Sequence, residues 1–138
     1  MTTNIIEIMI LDFTLLKGEY SIYRFKRDSP IPEWIYDSDF YSVTRTTDEL
    51  SIICKPVDLI MGIDIKIDNH WRILKISGVL DLSLIGIIAT VSTILKENKI
   101  PIFTISTFDT DYILVKDRDL NKTVAALRHA GHKLLTEN

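Results

Sequence analysis

An α+β fold is what this sequence predicts: two tandem ferredoxin-like (βαββαβ) modules, with antiparallel sheets and helices on one face. Three observations carry the prediction. From Trp71 to Leu135, strand-like and helix-like stretches follow one another in the order β-α-β-β-α-β. Before Trp71 the chain runs through a degraded version of the same order, with a short first helix. No linker rich in Gly, Ser or Pro separates the halves, so two small units, 1–65 and 66–138, are expected to share a core. Each alone would be marginal, because small domains bury too little surface.

The elements follow in order. Ile5 to Leu15 is apolar and β-branched and predicts an extended stretch, ended by the turn Lys17-Gly18-Glu19. Tyr20 to Phe25 alternates, with Tyr20 and Ile22 on one face and Tyr23 and Phe25 on the other. Pro30 and Pro32 break the strand, and Pro32 to Ile35 can open a short helix. Phe40 to Thr46 and Leu50 to Cys54 read as a hairpin around Thr47-Asp48-Glu49. Val57 to Met61 suits a helical turn closed by Gly62. Trp71 to Gly78 is the next strand. Ser83 to Asn98 is a helix whose apolar residues Leu84, Ile88, Val91 and Leu95 recur at helical spacing. Strands follow at Ile102 to Ser106 and Tyr112 to Lys116, separated by the polar turn Thr107 to Asp111. Asp119 is suited to cap a helix from Leu120 to Ala130, Gly131 to end it, and Lys133 to Leu135 to form a last strand.

Composition narrows the function classes. The chain has 138 residues, 46% hydrophobic and 25% charged, a globular rather than disordered balance. A net charge of −3 without basic blocks argues against nucleic-acid binding, which needs a basic face. With one cysteine, Cys54, no internal disulfide forms, and its neighbours Ile52 and Ile53 suggest a buried thiol. No signal-peptide pattern opens the chain and no stretch reaches the roughly 20 apolar residues of a membrane span, so a soluble, cytoplasmic protein is expected.

The stretch with most chemical promise joins the Trp71 strand to the following helix. Asp81 or Ser83 can cap that helix, and Gly86, inside the expected first turn, suggests that something approaches the backbone there. Free N–H groups at a helix start also suit a carboxylate or phosphate. Asp109 and Asp111 fit a hairpin turn, where aspartates bond their own backbone. They are too few for a calcium site. His129 and His132 lack the partners of a zinc site and read as surface or helix-end histidines, so no metal or cofactor is expected. No phosphate-binding glycine loop or nucleophile elbow occurs, and nothing in the spacing makes Asp81 with Asp109 or Asp111 an acid–base pair, so no enzymatic activity is expected.

Three segments in order, Phe40 to Cys54, Gly78 to Ala89 and Ile105 to Val115, resemble the small bacterial tandem ACT-domain proteins. These are related to the CASTOR arginine sensors and to the regulatory domains of aspartate kinases. The resemblance covers nearly the whole chain past Leu15. Leu82 and Ile85 depart from the family pattern, which has Phe and Thr there. The resemblance implies a free amino acid bound between modules, with Asp81, Ser83, Leu84 and Gly86 forming one loop of the site and Thr107, Phe108, Asp109, Thr110 and Asp111 the facing one. Backbone N–H groups near Ser83 to Gly86 would take the carboxylate, and Asp81, Asp109 or Asp111 the ammonium. It further implies an allosteric regulatory sensor that acts through a homodimer, a higher homo-oligomer or a regulated protein partner. The competing expectation is a ligand-free interaction module with the same fold.

Overall fold

Apolar and polar side chains alternate along several stretches of this chain, and the described strands form one eight-stranded sheet. A computed structural model of the chain describes residues 10–58, 64–77 and 86–136. Expectations for 5–9, for most of the helical turn closed by Gly62, and for Gly78 to Ile85 lie outside these residues. The strands are β1 (Asp12–Leu15), β2 (Tyr20–Phe25), β3 (Ser42–Arg45), β4 (Leu50–Cys54), β5 (Lys66–Ser77), β6 (Ile102–Ser106), β7 (Asp111–Lys116) and β8 (Lys133–Thr136). The described helices are α1 (Ile87–Glu97) and α2 (Leu120–His129), and there are 3₁₀ turns at Glu33–Asp37 and Asp117–Asp119.

Strand β5 organises the sheet. It begins at Lys66, five residues before the start that the sequence suggests. One edge pairs antiparallel with β1, from Asp12 opposite Ser77 to Leu15 opposite Leu74. The same edge continues with β2, from Tyr20 opposite Trp71 to Arg24 opposite Lys66. The other edge pairs with β7, from Trp71 opposite Lys116 to Lys75 opposite Tyr112. β1 and β2 therefore act as one strand interrupted at Lys17-Gly18, where Gly18 adopts φ +84°. β5 in turn carries a bulge where Asn69 and His70 bring its register out of step with β2, and His70 takes φ +68°. Ser21 Oγ donates to Asn69 Oδ1 at 2.6 Å and ties the bulge to β2. The polar run Asp68-Asn69-His70 reads as a strand boundary in sequence; pairing with β2 carries the strand through it.

The fold is α+β with its helices on one face, as the sequence predicts. Its C-terminal part runs β8-β1-β5-β7-β6. β1 enters between β5 and β8, and its pairing with β8 is parallel, so the sheet is mixed. Phe13, Leu74, Ile76, Ile113 and Val115 face the helices and meet Val91, Leu95 and Leu127. The opposite, helix-free face presents Leu16, Tyr20, Trp71, Ile73 and Leu114, with Phe40 and Tyr112 partly buried beside them. A third cluster, Tyr23, Phe25, Ile35, Leu50 and Ile52 with Cys54, closes the N-terminal part. Cys54 is buried, and burial pushes its thiol up to about 11, so it packs as a small hydrophobe.

Two helix ends differ from expectation. Gly86 occupies the N-cap position of α1 at φ +86°, and the helix starts at Ile87, not Ser83. Among the described residues a Cβ at Gly86 would meet Ala89 Cβ at 4.0 Å, and the left-handed backbone conformation by itself favours glycine. Asp119 precedes α2, but its side chain makes no capping bond. The far end of α2 is as expected: Gly131 at φ +96° sends its N–H to Arg128 O, and His132 N–H reaches Leu127 O at 3.0 Å.

His132 is buried, not a surface or helix-end group. Its Nδ1 accepts the Leu11 N–H at 3.0 Å, and its ring stands edge-on to Phe13. The turn that Gly131 imposes delivers the imidazole to Leu11, just before β1, whose carbonyl accepts the Lys133 N–H.

Candidate functional site

On the helix-free face the pairing registers align three polar positions, Thr14, Lys75 and Tyr112, across β1, β5 and β7. Ser77 lies two residues beyond Lys75 on the same strand face, since side chains alternate along a strand. Its hydroxyl lies 3.2 Å from Thr14 Oγ1 and donates to Asp12 O. Ser77 is the last β5 residue before the 78–85 segment.

The β6–β7 hairpin closes over this row. Thr107 N–H donates to Thr110 O at 2.8 Å, and Thr107 Oγ1 accepts the Thr110 N–H at 3.3 Å. Thr110 Oγ1 donates to Ile76 O and so pins the turn to β5. Between the turn and the strand lies a cavity of about 380 Å³, lined by Lys75, Ser77, Thr107, Asp109, Thr110 and Tyr112 among others.

The predicted residues are thus distributed unevenly. Thr107, Asp109 and Thr110 line the cavity together. Phe108 stands fully exposed at the hairpin tip. Asp111 opens β7 and accepts a hydrogen bond from Ser106 Oγ. Gly86 caps α1, while Asp81, Ser83 and Leu84 lie outside the described residues.

A second cavity, of about 350 Å³, shares Lys75 and Tyr112 with the first. Its other walls come from the N-terminal part: Lys17, Tyr20, Asp39, Phe40 and Lys55. Phe40 was expected in a strand, but β3 begins only at Ser42. Free of the ladder, Phe40 packs against Tyr112 with ring centroids 4.8 Å apart and against Tyr20 at 5.9 Å. Sequence reading passes over Lys75 as one more polar position in an alternating strand. The signal it carries is a lysine in a strand that turns out to be paired on both edges.

Similarity to known proteins follows the same layout. A family profile described as the ACT domain matches residues 66–129, and one described as an N-terminal domain matches residues 18–59. The crystal structure of an Agrobacterium tumefaciens protein is 40% identical, covers 94% of this chain and 96% of its own, and superposes with a TM-score of 0.84. The chain contains an ACT domain. It shares its fold with the regulatory domains of aspartate kinases. Aspartate kinase from Clostridium acetobutylicum has the same fold at 15% identity, over 83% of this chain and 33% of the enzyme, with a TM-score of 0.62. The ligand-free regulatory subunit of aspartate kinase from Thermus thermophilus does so at 12% identity, over 83% and 93%, with a TM-score of 0.58. No curated protein matches.

An ACT domain is a regulatory rather than a catalytic module, and the ACT-domain match assigns that character to this chain. Among the described residues, no cluster of three or more His, Cys, Asp and Glu could hold a metal ion. No described helix is long and apolar enough to cross a membrane.

Proposed function

We propose that this ACT-domain protein is a cytoplasmic regulatory sensor that binds a free amino acid between two tandem modules, 1–65 and 66–138. The tandem reading rests on strand order. β3-β4-β2-β5 in the N-terminal part has the ferredoxin-like order that β6-β7-β5-β8 would have without β1.

The observation that carries the amino-acid reading is the cavity where Ser77 and Asp109 share a wall; its described lining lies within 66–138, and a second module would complete it. The Asp109 carboxylate takes the ligand ammonium, with Asp81 and Asp111 as the other acids of the two loops. Backbone N–H groups of the 81–86 segment take the carboxylate, assisted by the Ser83 hydroxyl, with Leu84 and Gly86 in the same loop. Thr107, Phe108 and Thr110 complete the facing loop. Each hydrogen bond to a charged group contributes about 1.5–3 kcal/mol net, so two or three barely offset the cost of immobilising the ligand, and even a millimolar complex needs about 4 kcal/mol. Tighter selection would come from contacts to the ligand side chain. Binding shifts the packing of the modules, and the shift is passed on through a homodimer, a higher homo-oligomer or a regulated protein partner.

A second reading, a ligand-free oligomerisation module, draws support from the fully exposed Phe108 ring and from β3 and β6, which each pair on one edge only among the described strands. A thermal-shift screen of the twenty amino acids separates the two. The sensor reading expects one or a few to raise the melting temperature, and Asp109→Asn to abolish the rise. If none does at millimolar concentration while the protein is a stable oligomer, the interaction module is the better description.

A further inference from the structure

We infer that the cavity between the N-terminal part and the helix-free sheet face is a separate binding site for a small organic anion with a flat apolar body. This inference goes beyond the amino-acid reading and does not rest on it.

Charge is the first observation. Three lysines, Lys17, Lys55 and Lys75, line the cavity against one carboxylate, Asp39, although the chain as a whole carries net charge −3. Asp39 is 94% exposed and lies 3.7 Å from Lys55, a solvated pair that restrains neither group strongly. The Lys75 side chain makes no hydrogen bond or ion pair with another described residue. It projects from a strand flanked on both edges, two positions from the fully buried Ile73 on the same face. A half-buried ammonium over an apolar floor attracts an anion more strongly than one in open water.

Shape is the second. Phe40 and Tyr112 meet at 58°, so their rings form a wedge at the wall that Lys75 shares. An anionic head at Lys75 places a planar body against these rings, where dispersion and offset stacking act. A volume of about 350 Å³ suits a molecule of one or two rings. Since Phe40 and Lys55 come from the N-terminal part and Lys75 and Tyr112 from the C-terminal sheet, such an occupant bridges the two parts of the chain.

The test uses the full chain and three probes: 2-naphthoate, its neutral twin 2-naphthamide, and acetate. Calorimetric titration is expected to show naphthoate binding at least about tenfold more tightly than either of the others, because naphthamide lacks the charge-assisted contact and acetate the stacked body. Lys75→Met should remove the preference for naphthoate over naphthamide. Phe40→Leu should weaken naphthoate, whereas Asp109→Asn, in the neighbouring cavity, should leave it unchanged. Equal affinity for the two twins, no response to Lys75→Met in a variant with wild-type circular dichroism, or no binding at millimolar naphthoate overturns the inference. Sensitivity to Asp109→Asn together with indifference to Phe40→Leu also overturns it, because the probe then sits in the other cavity. An amino-acid screen that fails leaves this result untouched, so the two readings fall separately.

Discussion

His132 shows how one side chain can hold a strand in place. The Nδ1 that accepts the Leu11 N–H must be unprotonated, so the proton of the neutral ring sits on Nε2. Burial holds its pKa below the ordinary 6.5. The unfolded chain therefore takes up this proton first as pH falls. The contribution of His132 to stability is complete above about pH 6.5 and is lost progressively as pH drops toward the lower folded value. Urea midpoints measured at pH 7.5 and pH 5 should differ more for the wild-type chain than for His132→Asn, whose amide oxygen accepts the same hydrogen bond without titrating. An equal difference would assign the pH dependence to carboxylates elsewhere. Gly86 is a second such residue. At φ +86° an alanine costs about 1–2 kcal/mol from backbone strain alone. Gly86→Ala should lower stability by that amount in denaturant titration whether or not a ligand is present, so it is a poor probe of binding; Asp109→Asn is the better one.

At the scale of elements, β5 is the structural hub. Its bulge at Asn69-His70 lets one strand serve partners of different register, and the cost is a histidine in left-handed backbone. His70→Gly relieves that strain and gives back some unfolded-state entropy. A net gain of up to about 1 kcal/mol is expected by urea denaturation, since the exposed pair of His70 with Glu19 contributes little. A loss above 1 kcal/mol would mean that the imidazole does more than fill a turn. Helix α2 was legible because its signals are local: Leu120 and Leu127 at helical spacing, then Gly131. The start of α1 was not, because Ser83 has the chemistry of a cap and only the backbone angle at Gly86 locates the true one.

At the scale of the whole molecule, β1 crosses the expected division of the chain. It lies between β5 and β8, and Phe13 is fully buried in the helix-facing core. A fragment spanning 66–138 lacks that strand and the roughly 1.5–3 kcal/mol that burial of Phe13 supplies. It should show collapsed amide dispersion in an NMR spectrum, and a peptide of residues 10–16 added in trans should restore dispersion in part. A well-dispersed spectrum from the fragment alone would show that β8 can pair directly with β5. Phe13→Ala in the full chain should cost about 3–5 kcal/mol, measured by chemical denaturation.

The sequence by itself determined the α+β class, the order of the C-terminal elements, the buried thiol of Cys54 and the polar turn from Thr107, which ends at Thr110 and not at Asp111. Each of these follows from periodicity or turn chemistry within about a dozen residues, which is the range that local patterns report. Only the tertiary structure decided that β1 joins the C-terminal sheet, that β5 runs through a polar bulge, that His132 is buried, and that Lys75 and Phe40 meet at one cavity. These depend on pairings between residues 30 to 120 positions apart. Many chain arrangements satisfy the same local preferences, and the combined burial of both sheet faces selects among them.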